Sequence, residues 1–179
     1  MEGGVACVEE EPIIKILKSE VYMKFIIREM YSHEYPLLAN FLYEAIFQRD
    51  DNNLLPRSVI EEPSLQVYIE NFGNKEDDYC LCAEVNKKIA GAVWVRNING
   101  FGSIGDDIPE FSISLYKNYR GYGIGTEMMK QMLKLLKSKG YKKASLAVQK
   151  DNYALHMYQK AGFKIIDETM EEFIMEYLF

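Results

Sequence analysis

The run Arg120-Gly121-Tyr122-Gly123-Ile124-Gly125 constrains this chain more than any other feature: three alternating glycines separate a strand-like stretch, residues 111–115, from an amphipathic stretch over residues 126–139. Glycine reaches backbone conformations closed to other residues and lets N–H groups come close to a ligand. A helix starting directly afterwards adds roughly half a positive charge at its N-terminus, so the turn suits an anion. The amides of Gly121, Gly123, Ile124, Gly125 and Thr126, with Tyr122 inside the loop, are the expected contacts to phosphate oxygens, and Arg120 adds its side chain or its field. A phosphate-bearing cofactor held without a metal ion is the expectation. A plain glycine-rich turn is the alternative that the loop alone leaves open.

Other nucleotide-binding patterns fit poorly. A dinucleotide fingerprint needs a third glycine where Thr126 stands, the preceding elements do not alternate as βαβ, and no Gly-Lys-Ser/Thr of a Walker loop follows. A net charge of −6 argues against a nucleic-acid partner held through phosphates. No apolar run approaches the ~18 residues of a membrane span, and the start of the chain lacks the pattern of a secretory signal, so the expected location is cytoplasmic, away from membranes. Cys80 and Cys82 stand two apart in a strand-like stretch, which does not suit a mutual disulfide, and no Cys/His cluster has zinc-site spacing. They are expected as core residues in a reducing compartment.

Residues 1–22 carry Gly3-Gly4 and an acidic run but no sustained period, and are expected as an appendage, disordered or loose; Met23 then marks the natural start of a single domain over residues 23–179. Within that domain the periodicity predicts a strand at 24–28, a helix at 32–47, a helix at 63–72 with Pro63 in its first turn, and a hairpin of strands 79–85 and 89–96. A loop at 99–107 precedes a strand at 110–115. A long helix at 126–139 is closed by Gly140, a strand covers 144–148, and a short helix capped by Asp151 or Asn152 runs to Lys160 and is ended by Gly162. Strands at 163–166 and 172–177 complete an α/β domain with a mixed sheet.

Two motifs in this order carry a family resemblance. Arg120-x-x-Gly123-x-Gly125 between strand and helix, and Asn152-Tyr153-Ala154-Leu155-x-x-Tyr158-x-Lys160-x-Gly162-Phe163 further on, together resemble the GNAT superfamily of N-acetyltransferases over residues 24–179. The resemblance implies a central mixed, mostly antiparallel twisted sheet flanked by helices, whose fourth and fifth strands splay apart to admit the pantetheine arm of acetyl-CoA. It also implies an acyltransferase that moves an acetyl group to a primary amine by direct attack through a tetrahedral intermediate. The backbone of Ile113, Ser114 and Leu115 is then expected to meet the pantetheine, with the Leu115 N–H as the oxyanion donor.

Tyr158 takes the general-acid role by the same resemblance. A tyrosine of pKa about 10 is protonated at neutral pH and matches the acidity of a leaving thiolate. A core aromatic is the competing reading, because Ala154, Leu155 and Tyr158 share one helical face. Glu110, on the polar side of its strand and near Asp106 and Asp107, is the candidate base; a solvated acidic loop is the competing reading. Asn152 caps its helix, contacts the cofactor, or does both, while His33 and His156 are expected on the surface. The acceptor wall is expected from residues 31–72, where Tyr31, Tyr35, Phe41, Tyr43, Phe47 and Tyr68 supply aromatic surface, most of it core. Asp106, Asp107 and Glu110 point to a cationic small molecule such as a polyamine, an aminoglycoside or a lysine-like group, with peptide and protein amines open. A non-catalytic acyl-CoA sensor on the same fold is the alternative function, and monomer and homodimer are both open.

Overall fold

The computed structural model describes residues 23–50 and 52–179; the expected appendage, residues 1–22, lies outside them. Seven strands form one sheet: β1 Ile26–Glu29, β2 Tyr79–Val85, β3 Lys88–Arg96, β4 Glu110–Leu115, β5 Lys143–Gln149, β6 Lys164–Glu168 and β7 Glu172–Leu178, in the order β1-β2-β3-β4-β5-β7-β6. Every neighbouring pair is antiparallel except β4 and β5, which run parallel and share a single register pair, Glu110 with Ser145. Beyond that bridge the two strands separate, which is the splay expected between the fourth and fifth strands.

Helices cover both faces. On one lie α1, Leu38–Ala45, and the short α2, Pro63–Gln66; on the other lie α3, Ile124–Ser138, and α4, Leu155–Ala161. Met128, Met129, Met132 and Leu136 of α3 are fully buried against Val93, Val95 and Phe111 of the sheet. Their spacing of three and four residues sets this stripe on one face. The opposite core joins Leu38, Phe41 and Leu42 of α1 to Cys82, Ala92 and Trp94. Cys80 and Cys82 are both buried thiols without a disulfide.

Three boundaries differ from the periodicity. The first helix opens as a 3-10 turn over Ser32–Leu37 and becomes α-helical only at Leu38, because Pro36 offers no N–H and restricts Tyr35. The second ends after four residues, and turns carry the chain on to Phe72. Arg96 governs that stretch: Nη1 donates to the carbonyls of Val67 (3.0 Å) and Glu70 (2.8 Å), and Nε donates to Asp78 Oδ1 (2.7 Å), an ion pair whose side chains are 3% and 0% exposed. Asp78 also accepts the Gly73 N–H (2.7 Å), so the segment bearing Tyr68 is clamped to β3. The third helix begins at Ile124, two residues early, which places Gly125 and Thr126 inside its first turn. The hairpin turn is tight, with positive φ at both Asn86 and Lys87.

Candidate active site

Gly121 and Gly123 have φ of +86° and +80°, and a Cβ at either position meets nothing within 4 Å. Backbone conformation rather than crowding therefore requires glycine here. Gly123 is the N-cap of α3, and no side chain caps the helix, so the first-turn amides of Ile124, Gly125 and Thr126 point outward without an intrahelical partner. Gly125 and Thr126 border a cavity of about 760 Å³ that is also lined by Gly121, Gly123, Arg120, Asn152 and Tyr158. Arg120 is engaged elsewhere: Nε donates to the Leu115 carbonyl (2.9 Å) and Nη2 to Glu44 on α1 (2.9 Å). Its charge is thus partly neutralised, and its first effect is to fasten the loop to the strand that precedes it. Tyr122 is 41% exposed.

The hydrogen-bond phase of β4 follows from one contact. Tyr116 N–H donates to the Ala90 carbonyl at 3.0 Å, in register with the pairing of Gly91 with Leu115, so the even-numbered residues of β4 bond to β3. The peptide groups of Phe111, Ile113 and Leu115 consequently face β5. Ser145 N–H reaches the Pro109 carbonyl (3.0 Å) at the closed end, while the N–H groups of Ile113 and Leu115 open onto the gap. Ser114 turns the other way, its hydroxyl donating to the Phe41 carbonyl (2.7 Å), which makes its side chain a strut to α1.

Tyr158 is 9% exposed on α4, its ring near Phe163. Burial pushes its pKa up, so the hydroxyl is a weaker acid than a free tyrosine and stays protonated. Both readings of this residue meet here: it belongs to the core cluster and lines the cavity. It also lines a second cavity of about 630 Å³, bordered by Phe47, Leu65, Tyr68, Phe101, Glu110, Gln149 and Glu172. Ile113, Asn152 and Tyr158 border both spaces, so the two meet at the splay. Asn152 Oδ1 accepts the Ala154 N–H (2.9 Å), bracing the turn ahead of α4, whose N-cap is Ala154. His33 and His156 are exposed.

Glu110 is 2% exposed and lies beneath the loop at 99–103 instead of facing solvent with Asp106 and Asp107, which border neither cavity. Alternation along β4 marks its polar side but cannot register that Tyr68 and this loop cover it. Glu110 Oε1 accepts the Tyr68 hydroxyl and the Gly102 N–H (2.7 Å); Oε2 has no hydrogen-bond partner among the described residues. Gly100 allows the approach, since a Cβ there stands 2.5 Å from Oε2. Burial pushes the carboxyl up to about 7, against the pull of the Tyr68 hydroxyl and the Gly102 and Gly100 backbone. Tyr68, read from sequence only as an aromatic of the acceptor wall, is thus the partner that orients Glu110.

Of the six wall aromatics, Phe47 borders both cavities, Tyr68 the second and Tyr43 the first; Tyr31 and Tyr35 border neither, and Phe41 is core. Among the described residues no group of three or more His, Cys, Asp or Glu is arranged to hold a metal, and no helix is long and apolar enough to cross a membrane.

Residues 29–163 match the acetyltransferase (GNAT) family. An acetyltransferase of Pectobacterium atrosepticum is 31% identical over 100 residues, covering 55% of this chain and 67% of the relative. Two solved structures share the fold: the PaiA N-acetyltransferase of Thermoplasma acidophilum in complex with coenzyme A (TM-score 0.65, 20% identity, 88% of this chain and 100% of that one), and a GNAT-family acetyltransferase of Streptococcus pneumoniae (TM-score 0.63, 23% identity, 87% and 99%).

Proposed function

The chain belongs to the acetyltransferase (GNAT) family, and from that premise we propose that it moves an acetyl group from acetyl-CoA to the nitrogen of a primary amine by direct attack. The observation that carries this reading is the meeting of two cavities at Tyr158, one bordered by the anion-ready amides of α3 and the other by Glu110. The residues fit the cosubstrate. Outward amides at a helix start suit a pyrophosphate, and the open N–H of Ile113 suits a carbonyl of an extended arm. Acetyl-CoA supplies a thioester carbonyl and a thiolate leaving group.

The chain's own groups do the rest. The Leu115 N–H, fixed before reaction, meets negative charge as it gathers on the carbonyl oxygen. Glu110 accepts the proton that an ammonium must shed; Oε2 is the atom for this, because both protein donors bind Oε1. A pKa near 7 suits a group that takes and returns a proton at neutral pH. Tyr158 keeps its proton at neutral pH and is the group placed to donate it as the thiolate leaves.

Calorimetry with acetyl-CoA and thiol release across a panel of amines test this together. Binding with release supports the transferase; binding without release under any amine favours an acyl-CoA sensor on the same fold; no binding defeats both.

A further inference from the structure

The second cavity has a one-sided charge. Four carboxylates border it, Glu110, Glu62, Glu171 and Glu172, and no lysine or arginine does. They come from different elements: Glu62 from the segment entering α2, Glu110 from β4, and Glu171 and Glu172 from the turn into β7. The cations nearby are committed elsewhere. Lys150 pairs with Glu168 at 2.8 Å, and Arg49, whose field Glu171 shares, is held by Asp151 through two hydrogen bonds. Among the described residues no hydrogen bond or ion pair joins Glu62, Glu171 or Glu172 to a cationic side chain. Burial and the adjacent Glu171 raise the Glu172 pKa, as expected of carboxylates that repel one another.

A separate observation points to what such a space accepts. Two buried oxygens that border it, Glu110 Oε2 and Gln149 Oε1, have no hydrogen-bond partner among the described residues, and Glu110 is 2% exposed. Both are acceptors, so the complement is a group with several N–H donors. The rest of the lining, including Phe101, Leu65 and Phe47, is apolar and suits a hydrocarbon spacer. We propose that the acceptor is a small amine carrying a second positive charge, its reacting nitrogen beside Tyr158 and Glu110 and its other cationic group against Glu171 and Glu172, with Glu62 on the facing wall. The inference rests on the acetyltransfer reading and narrows its substrate.

The test measures thiol release from acetyl-CoA by the full chain with cadaverine against n-pentylamine, and putrescine against n-butylamine, each pair differing only in the second ammonium. The expected result is a kcat/KM at least about tenfold higher for the diamine, the equivalent of about 1.4 kcal/mol of charge contact, carried mostly in KM. In the Glu171→Gln/Glu172→Gln double variant this ratio falls to about twofold or less; being taken on one preparation, it is indifferent to partial loss of fold. Comparable rates for both members of each pair in the wild type overturn the inference while leaving acetyltransfer standing. A wild-type preference that the double variant keeps moves the second charge away from these two residues and also overturns it. Failure of every amine to give release, acetyl-CoA binding being intact, removes the acetyltransfer reading and this inference with it.

Discussion

Replacing Glu110 by Gln takes a charge out of a place where the fold disfavours one. The carboxyl is pushed up to about 7 from an ordinary 4.5, burial outweighing the hydrogen bonds from Tyr68 and Gly102. The unfolded chain therefore releases this proton near pH 4.5 and the folded chain near pH 7, so folding takes up a proton between those values. Stability is complete below about pH 4.5, declines as pH rises through the window, and has lost the whole contribution once pH passes about 7. The span from 4.5 to about 7, at about 1.36 kcal/mol per pH unit, corresponds to about 3 kcal/mol. Glu110→Gln keeps the shape and the acceptor oxygen but cannot ionise. Urea unfolding from pH 5 to 8.5 is expected to show the wild type losing stability relative to the variant by up to about 3 kcal/mol. Glu172 and other neighbours titrate in both proteins, so the subtraction isolates Glu110. Parallel stability curves would refute the reasoning. The same variant is expected to lose the rising limb near pH 7 in kcat/KM, and a retained limb takes the base role away from Glu110.

Three further outcomes are expected. Tyr158→Phe lowers turnover about 10²-fold while calorimetry finds acetyl-CoA affinity within about twofold, and wild-type turnover removes Tyr158 from the chemistry. Gly123→Ala costs about 1–2 kcal/mol from its φ of +80° alone, a melting shift of a few degrees, while acetyl-CoA affinity is expected to fall more than about tenfold because a loop that relaxes away from positive φ no longer presents the first-turn amides together. Unchanged affinity with a lowered melting temperature defeats the cradle. Asp78→Ala leaves the buried Arg96 guanidinium without its counter-ion and is expected to cost about 3–5 kcal/mol by urea unfolding.

The glycine loop was legible in the sequence because its demands are local: positive φ at Gly121 and Gly123, and a helix that begins at once. The same holds for Gly140 and Gly162, whose φ of +88° and +110° end α3 and α4. Glu110 was legible as a polar residue on the right side of β4 but not as a buried one, since its covering comes from Tyr68 and from the backbone of Gly100 and Gly102. Asp106 and Asp107 misled for the matching reason: closeness along the chain is not closeness to the cavity. The carboxylates that border it, Glu62, Glu171 and Glu172, lie some fifty residues before Glu110 and sixty after it, and only the sheet order brings them together. Arg120 carried a double meaning, and its bonds to Glu44 and Leu115 give the structural half of it.

The single bridge between β4 and β5 has a mechanical consequence. By topology the sheet is one object, but β1–β4 and β5–β7 are two plates joined at a corner by Glu110 and Ser145. Under the proposed function, an extended arm bonded to the open amides of β4 would serve as a stitch along the seam. The substrate would then also be a structural member, adding bonds across a joint that otherwise rests on one bridge and on the side chains packed beneath it. On that reading, releasing the product would mean giving up those same bonds, so the seam would enter the rate as well as the chemistry.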